Sequence, residues 1–163
     1  MRHIVRSPHP VLSTPAAEVD PAAVRELAAD LLALMRDQPG CVGIAAPQVG
    51  EPVRLFVLDV SGHPKAHSCT GPVVLANPVL VSASGRDVGR EGCLSVPDLT
   101  GDVPRATNVL VTGVDPRTLE PVNVVADAFE ARALQHELDH LAGLLFLDRV
   151  SSPDGIHPRR VYR

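Results

Sequence analysis

The chain has 163 residues, of which 45% are hydrophobic and 21% charged, and its net charge is −4. That length and balance suit one soluble domain with a real core, and the average surface offers nothing to a nucleic acid or another polyanion. With three Phe, one Tyr and no Trp, the core has to be built from Leu, Val, Ile and Ala.

The opening MRHIVRSPHP lacks the apolar stretch of a secretory signal, and no run approaches the roughly 18 apolar residues of a membrane span. Three cysteines, an odd number without close pairing, fit a reducing compartment better than a disulfide framework. The expected location is the cytoplasm.

In chain order, the first element is a helix within DPAAVRELAADLLALMRDQPG. Asp20 can cap it, Pro21 suits its first position and Pro39-Gly40 stops it. Val24, Leu27, Ala28, Leu31, Leu34 and Met35 form a stripe of helical period. VRLFVLDV (53–60), VVLANPVLV (73–81), NVLVTGV (108–114) and VNVVA (122–126) read as strands, being β-branched runs bounded by Pro, Gly or Asp. SGRDVGREGCLSVPDLTGDVPR (84–105) reads as irregular and glycine-rich.

A second helix is expected to open at Asp127, with Glu130 three residues on as in a capping box, and to stop at Gly143. Phe129, Ala133, Leu134, Leu138 and Leu141 should bury it on most sides. The order predicts an α+β fold: mixed or antiparallel strands packed around this central buried helix, with an N-terminal helix besides. One domain is expected over residues 1–163, with a short tail from about 151 whose basic ending, HPRRVYR, reads as solvated.

The second helix carries QHELDHLAG (135–143). His136 and His140, four apart, share a helix face and can reach one metal ion. Glu137 is offset from them, placed to touch a metal-bound water without being a ligand. A core helix is a poor place for two unpaired imidazoles and a carboxylate, which favours a metal. Catalysis would then need a third protein ligand and an open position. Cys93, in REGCLSVP, stands out, but a lone cysteine is more often a small buried hydrophobe, so the residue alone leaves the third ligand open.

Three separated segments, CVGIAAPQVG (41–50), EGCLS (91–95) and QHELDHLAG, resemble the signature blocks of the peptide deformylases in family order and spacing. The similarity runs from PHPVLSTPA to LFLDRV. It implies Cys93, His136 and His140 as metal ligands and Glu137 as the catalytic glutamate. It implies Gln48 and the backbone N–H of Leu94 as donors to the oxyanion. The implied substrate is the N-formyl group of nascent chains beginning with formyl-methionine, released as formate.

By the same resemblance the substrate backbone lies as an added strand, with Val42 and Gly43 on one side and Gly92 on the other. The methionine pocket is lined by Phe129, Arg132, Ala133 and His136. The implied partners are formylated nascent peptides, with transient ribosome contact, no direct nucleic-acid binding and no membrane. One divalent metal is implied, Fe²⁺ in the cell, while a His₂Cys set also suits Zn²⁺, Ni²⁺ or Co²⁺. Glu91 and Arg105 are expected to pair and brace their loop.

Two departures stand out. Cys41 occupies a position the family usually gives to glycine, where a side chain would narrow the groove or expose a second thiol near the metal. Arg132 replaces an aliphatic residue of some members, with its stem expected to pack and its head to reach water. His3, His9, His63, His67 and His157 read as surface or loop residues, and Cys69, in the KAHSCTGP loop, as an inert thiol. The competing HExxH peptidase reading would need a further ligand beyond the helix, where only His157 is on offer.

Overall fold

The computed structural model describes residues 2–159. Asp20 accepts a hydrogen bond from the Ala22 N–H, but what it caps is a 3₁₀ turn, Pro21–Val24, which leads into helix α1, Arg25–Asp37. The buried face of α1 is Leu27, Ala28, Leu31, Leu32 and Met35. Leu32 joins the expected stripe and Leu34 is only partly buried.

The strands form two antiparallel sheets. The larger contains β1 (Gly43–Ala45), β2 (Leu55–Leu58), β3 (Val73–Ser84), β6 (Asn108–Val114) and β7 (Pro121–Asp127), ordered β1-β2-β3-β6-β7. The smaller is β4 (Asp87–Cys93), β5 (Val96–Arg105) and β8 (Ile156–Pro158), in that order.

Segment 84–105, expected to be irregular, is therefore mostly a hairpin, with an irregularity in register between Gly92 and Cys93. Its alternation is real but hidden, because the inward positions late in β5 are Gly101, Val103 and Arg105. Of these only valine looks like a core residue in sequence. The tail is likewise not simply solvated: Ile156–Pro158 pairs with Leu99–Gly101, while residues 160–163 of the basic ending lie outside the described residues.

Helix α2, Ala128–Leu141, packs on one face of the larger sheet. Ala131, Leu134 and Leu141 meet Phe56, Leu58, Leu75, Val111 and Val124 there. α1 covers Ile44, Leu55, Val57 and Val74, which point the other way. Leu134 and Leu141 are fully buried, each contributing on the order of 2 kcal/mol.

The expected capping box is not formed. Asp127 is the N-cap residue, yet its carboxylate accepts from the Ser68 N–H and contacts His67. Glu130, fully buried, accepts from the Ser68 hydroxyl and the Thr70 N–H. Both acids tie the 61–71 loop to the start of α2 instead of closing on the helix itself. Gly143 ends the helix as expected, with φ of +79°.

Candidate active site

Cys93 closes β4, while His136 and His140 stand one helical turn apart on α2. One ligand atom from each lies within 4.8 Å of the others. Cys93 Sγ is 3.4 Å from His140 Nε2. The Nδ1 of His136 is hydrogen-bonded to Glu91 Oε1 at 2.9 Å, which leaves Nε2 for the cluster.

A soft thiolate and two imidazoles are a donor set for a transition metal or zinc. The surroundings fit a cation as well. Burial disfavours a charged His136, yet the nearby Cys93 sulfur and the hydrogen bond to Glu91 hold its pKa well above the usual imidazole range. Burial drives His140 well below that range. One positive charge is thus welcome here, and a metal ion can supply it in place of a proton. Two buried atoms, Glu137 Oε1 and His140 Nδ1, have no hydrogen-bond partner among the described residues, as expected of a cluster built around a further group.

Burial pushes the Glu137 carboxyl up to about 7. Its position depends on Gly43, where a Cβ would come within 2.7 Å of Glu137 Oε2. The glycine expected for close approach of a peptide is required first by the carboxylate. At Gly92 the nearest atom to such a Cβ is 3.5 Å away, an ordinary contact, so no protein atom demands glycine there.

Gln48 sits in the 3₁₀ turn Ala46–Val49 that follows β1, with 2% exposure. The Ala45 N–H donates to its Oε1 and so fixes the amide orientation. Nε2 then points toward Cys93 Sγ at 3.4 Å and Ser95 Oγ at 3.2 Å. Ser95, the last residue of the EGCLS block, is a contributor to which the sequence reading gives no role.

A cavity of about 240 Å³ opens beside these groups. Val42, Gly43 and Gln48 line one side, Gly92, Cys93 and Leu94 another, and Phe129, Arg132, Ala133, His136 and Glu137 come from α2. His140 lies behind this surface with 1% exposure. β1 and β4, each an end strand of its sheet, both border the cavity.

Glu91 and Arg105 do pair, through two bonds of 2.9 Å, and the pair belongs to a larger network. Arg105 also donates to Asp139, which accepts from Arg149. Burial raises the Glu91 pKa, but hydrogen bonds from His136 and Arg105 outweigh it and hold the carboxyl at about 2. Asp139 lies within the quoted helix segment, but nothing local reveals that its partners are Arg105 and Arg149.

Two expectations, for Arg132 and His157, are corrected here. The head of Arg132 does not reach water: it is buried and donates to Glu91 Oε2 at 2.7 Å and to the Val103 carbonyl at 2.8 Å. Its charge is better matched by a buried carboxylate than its stem alone suggests. His63 lies in the 61–71 loop as expected, half-buried and stacked on Phe129 with centroids 3.8 Å apart. His157, also half-buried, pairs with Asp102 at 2.9 Å.

Cys41 is half-buried, and its Sγ donates to the Gly43 carbonyl at 3.4 Å. Burial pushes its thiol up to about 11, so it stays protonated at neutral pH. The Val42 carbonyl is taken by the Asp59 N–H on the β2 side. By strand alternation the Gly43 carbonyl then faces the free edge of β1, where an added peptide strand would need it. Cys41→Gly should therefore lower KM for a peptide substrate about two- to five-fold with little change in kcat, a weak competing hydrogen bond having been removed. Unchanged KM with damaged kcat would place Cys41 in the chemistry instead.

The polypeptide deformylase family model matches residues 1–155. The chain belongs to that family. A peptide deformylase of Vibrio vulnificus is 43% identical over 149 residues, covering 91% of this chain and 85% of that one. A peptide deformylase from Legionella pneumophila superposes with a TM-score of 0.84 at 36% identity, covering 95% of this chain and 88% of that chain. One from Acinetobacter baumannii, bound to Met-Ala-Ser, gives 0.82 at 35% identity over 92% of this chain and 98% of that chain. Such deformylases share the two-helix, antiparallel-sheet architecture.

Proposed function

We propose that this deformylase hydrolyses the N-terminal formyl group of formyl-methionyl peptides, with a divalent metal held by Cys93, His136 and His140. The observation that carries the reading is the buried Glu137 Oε1, without a hydrogen-bond partner among the described residues, beside those three donors, with the Gln48 amide aimed into the same space. When bound, the metal supplies Lewis acidity and lowers the pKa of water toward neutrality.

Glu137 accepts a proton from the attacking water and delivers it to the leaving amine, so the products are formate and a peptide with a free amino group. Burial raises the basicity of this carboxyl, which favours its taking the water's proton. As charge builds on the formyl oxygen, Gln48 Nε2 and the Leu94 N–H donate to it, each worth about 3–4 kcal/mol in comparable acyl chemistry.

The peptide backbone adds as a strand between Val42–Gly43 and Gly92, the free edges of the two sheets. The methionine side chain packs on Phe129 and Ala133 beside His136, with the His63 ring stiffening that of Phe129. The Met-Ala-Ser held by the Acinetobacter baumannii relative is the kind of product this reading requires.

The metal is Fe²⁺ in the cell, and the substrates are nascent chains met in the cytoplasm during transient ribosome contact. No helix among the described residues is long and apolar enough to cross a membrane. Formate release from formyl-Met-Ala should be lost on chelation, return with Fe²⁺, Ni²⁺ or Co²⁺, and fade in air only for the iron form. A metal-free preparation with full activity would overturn the ligand assignment.

A further inference from the structure

We infer that Arg132 is a positioning residue: it locks the hairpin bearing Cys93 to the helix bearing the two histidines and orients His136 through Glu91. The inference rests on the ligand set proposed above. A single guanidinium makes three bonds of 3.0 Å or less to two separate elements. Nη1 donates to Glu91 Oε2 at 2.7 Å, on β4, and to the Val103 carbonyl at 2.8 Å, on β5. Nη2 donates to the Asp87 carbonyl at 3.0 Å, at the start of β4. Arg132 itself is on α2, one turn before His136.

Both strands of the hairpin are thus stapled to the metal-site helix by one planar, permanently charged group. Glu91 is the hinge of the arrangement. Its Oε2 takes Arg132 and the Nε of Arg105, while its Oε1 takes Arg105 Nη2 and the Nδ1 of His136. Arg105 fixes the carboxylate from the hairpin side and Arg132 fixes it from the helix side. The oxygen facing the imidazole is therefore set relative to both ligand-bearing elements. Partners of this kind on a ligating histidine fix its ring orientation and govern metal retention.

Gly89 supports the assignment independently. A Cβ there would lie 2.9 Å from Arg132 Cζ and 3.0 Å from its Nε and Nη2. β4 thus leaves room for the guanidinium to lie against its backbone, and a methyl group at 89 would push it away without removing its charge.

The test uses the Co²⁺-substituted enzyme, with Arg132→Met and Gly89→Ala as variants. Both should release cobalt to a chelator about tenfold faster than wild type and shift its visible d–d bands, while melting cooperatively by circular dichroism. If Arg132→Met fails to fold, Gly89→Ala decides alone, since the far end of a flexible side chain can move aside for it. Wild-type cobalt spectra and release rates in the folded variants, with only KM altered, would reduce Arg132 to a pocket wall and overturn the inference. A wild-type protein lacking any thiolate-to-cobalt charge-transfer band would instead defeat the ligand assignment itself.

Discussion

Glu137→Gln should keep its metal and lose at least ~10²-fold in turnover. The substitution preserves shape in a position with 3% exposure, against Gly43, so packing changes little. What changes is the capacity to take a proton from water and return it to the amine. None of Cys93, His136 and His140 is touched, so metal content should stay at the wild-type level. The folded state gives a second readout in the metal-free protein. Because burial raises the Glu137 pKa to about 7, the neutral carboxyl is the favoured folded form below that pH in the metal-free protein. Its contribution to stability is complete below the ordinary carboxylate range and is lost as pH rises through about 7. Glutamine removes that dependence. A variant with near-normal rates would remove Glu137 from the chemistry, whatever its metal content.

Much of the site is legible before folding, because its information is local. Two histidines four apart need only a helix to meet, and the helix is announced by its own apolar positions and by Gly143. The three blocks around Gln48, Cys93 and His136 carry the rest by resemblance. Hidden from sequence is whatever depends on non-local partners. The β4–β5 hairpin escapes notice because glycine and arginine occupy inward positions at 101 and 105, where alternation is sought in apolar side chains. Asp127 and Glu130 have the spacing of a capping box, but their partners are Ser68 and Thr70, about 60 residues earlier. Local propensity is overridden by a loop that has to be anchored. Arg132 shows the same limit. Its identity is visible in sequence, but the carboxylate and two carbonyls that bury its head come from residues 87–103.

The most direct measurement of the deformylase reading compares formyl-Met-Ala, acetyl-Met-Ala and an unformylated peptide on one metal-loaded preparation, following formate, acetate and internal cleavage together. The metal site alone cannot discriminate among them, since each presents a planar amide carbon to the same activated water. The difference is room behind that carbon, which bears hydrogen in a formyl group, a methyl in acetyl and a whole residue in a peptide. Gln48, Leu94 and Cys93, the donors and ligand proposed above, line one small cavity, with Gln48 Nε2 3.4 Å from Cys93 Sγ. A methyl in an adaptable pocket is typically worth ~10–200-fold, so a rigid wall should place the ratio at the upper end of that range or beyond. The expected result is kcat/KM for the formyl substrate at least ~10²-fold above the acetyl one, with no internal cleavage. Equal rates on formyl and acetyl substrates, or a preference for internal bonds, would contradict the deformylase reading and make this site a peptidase.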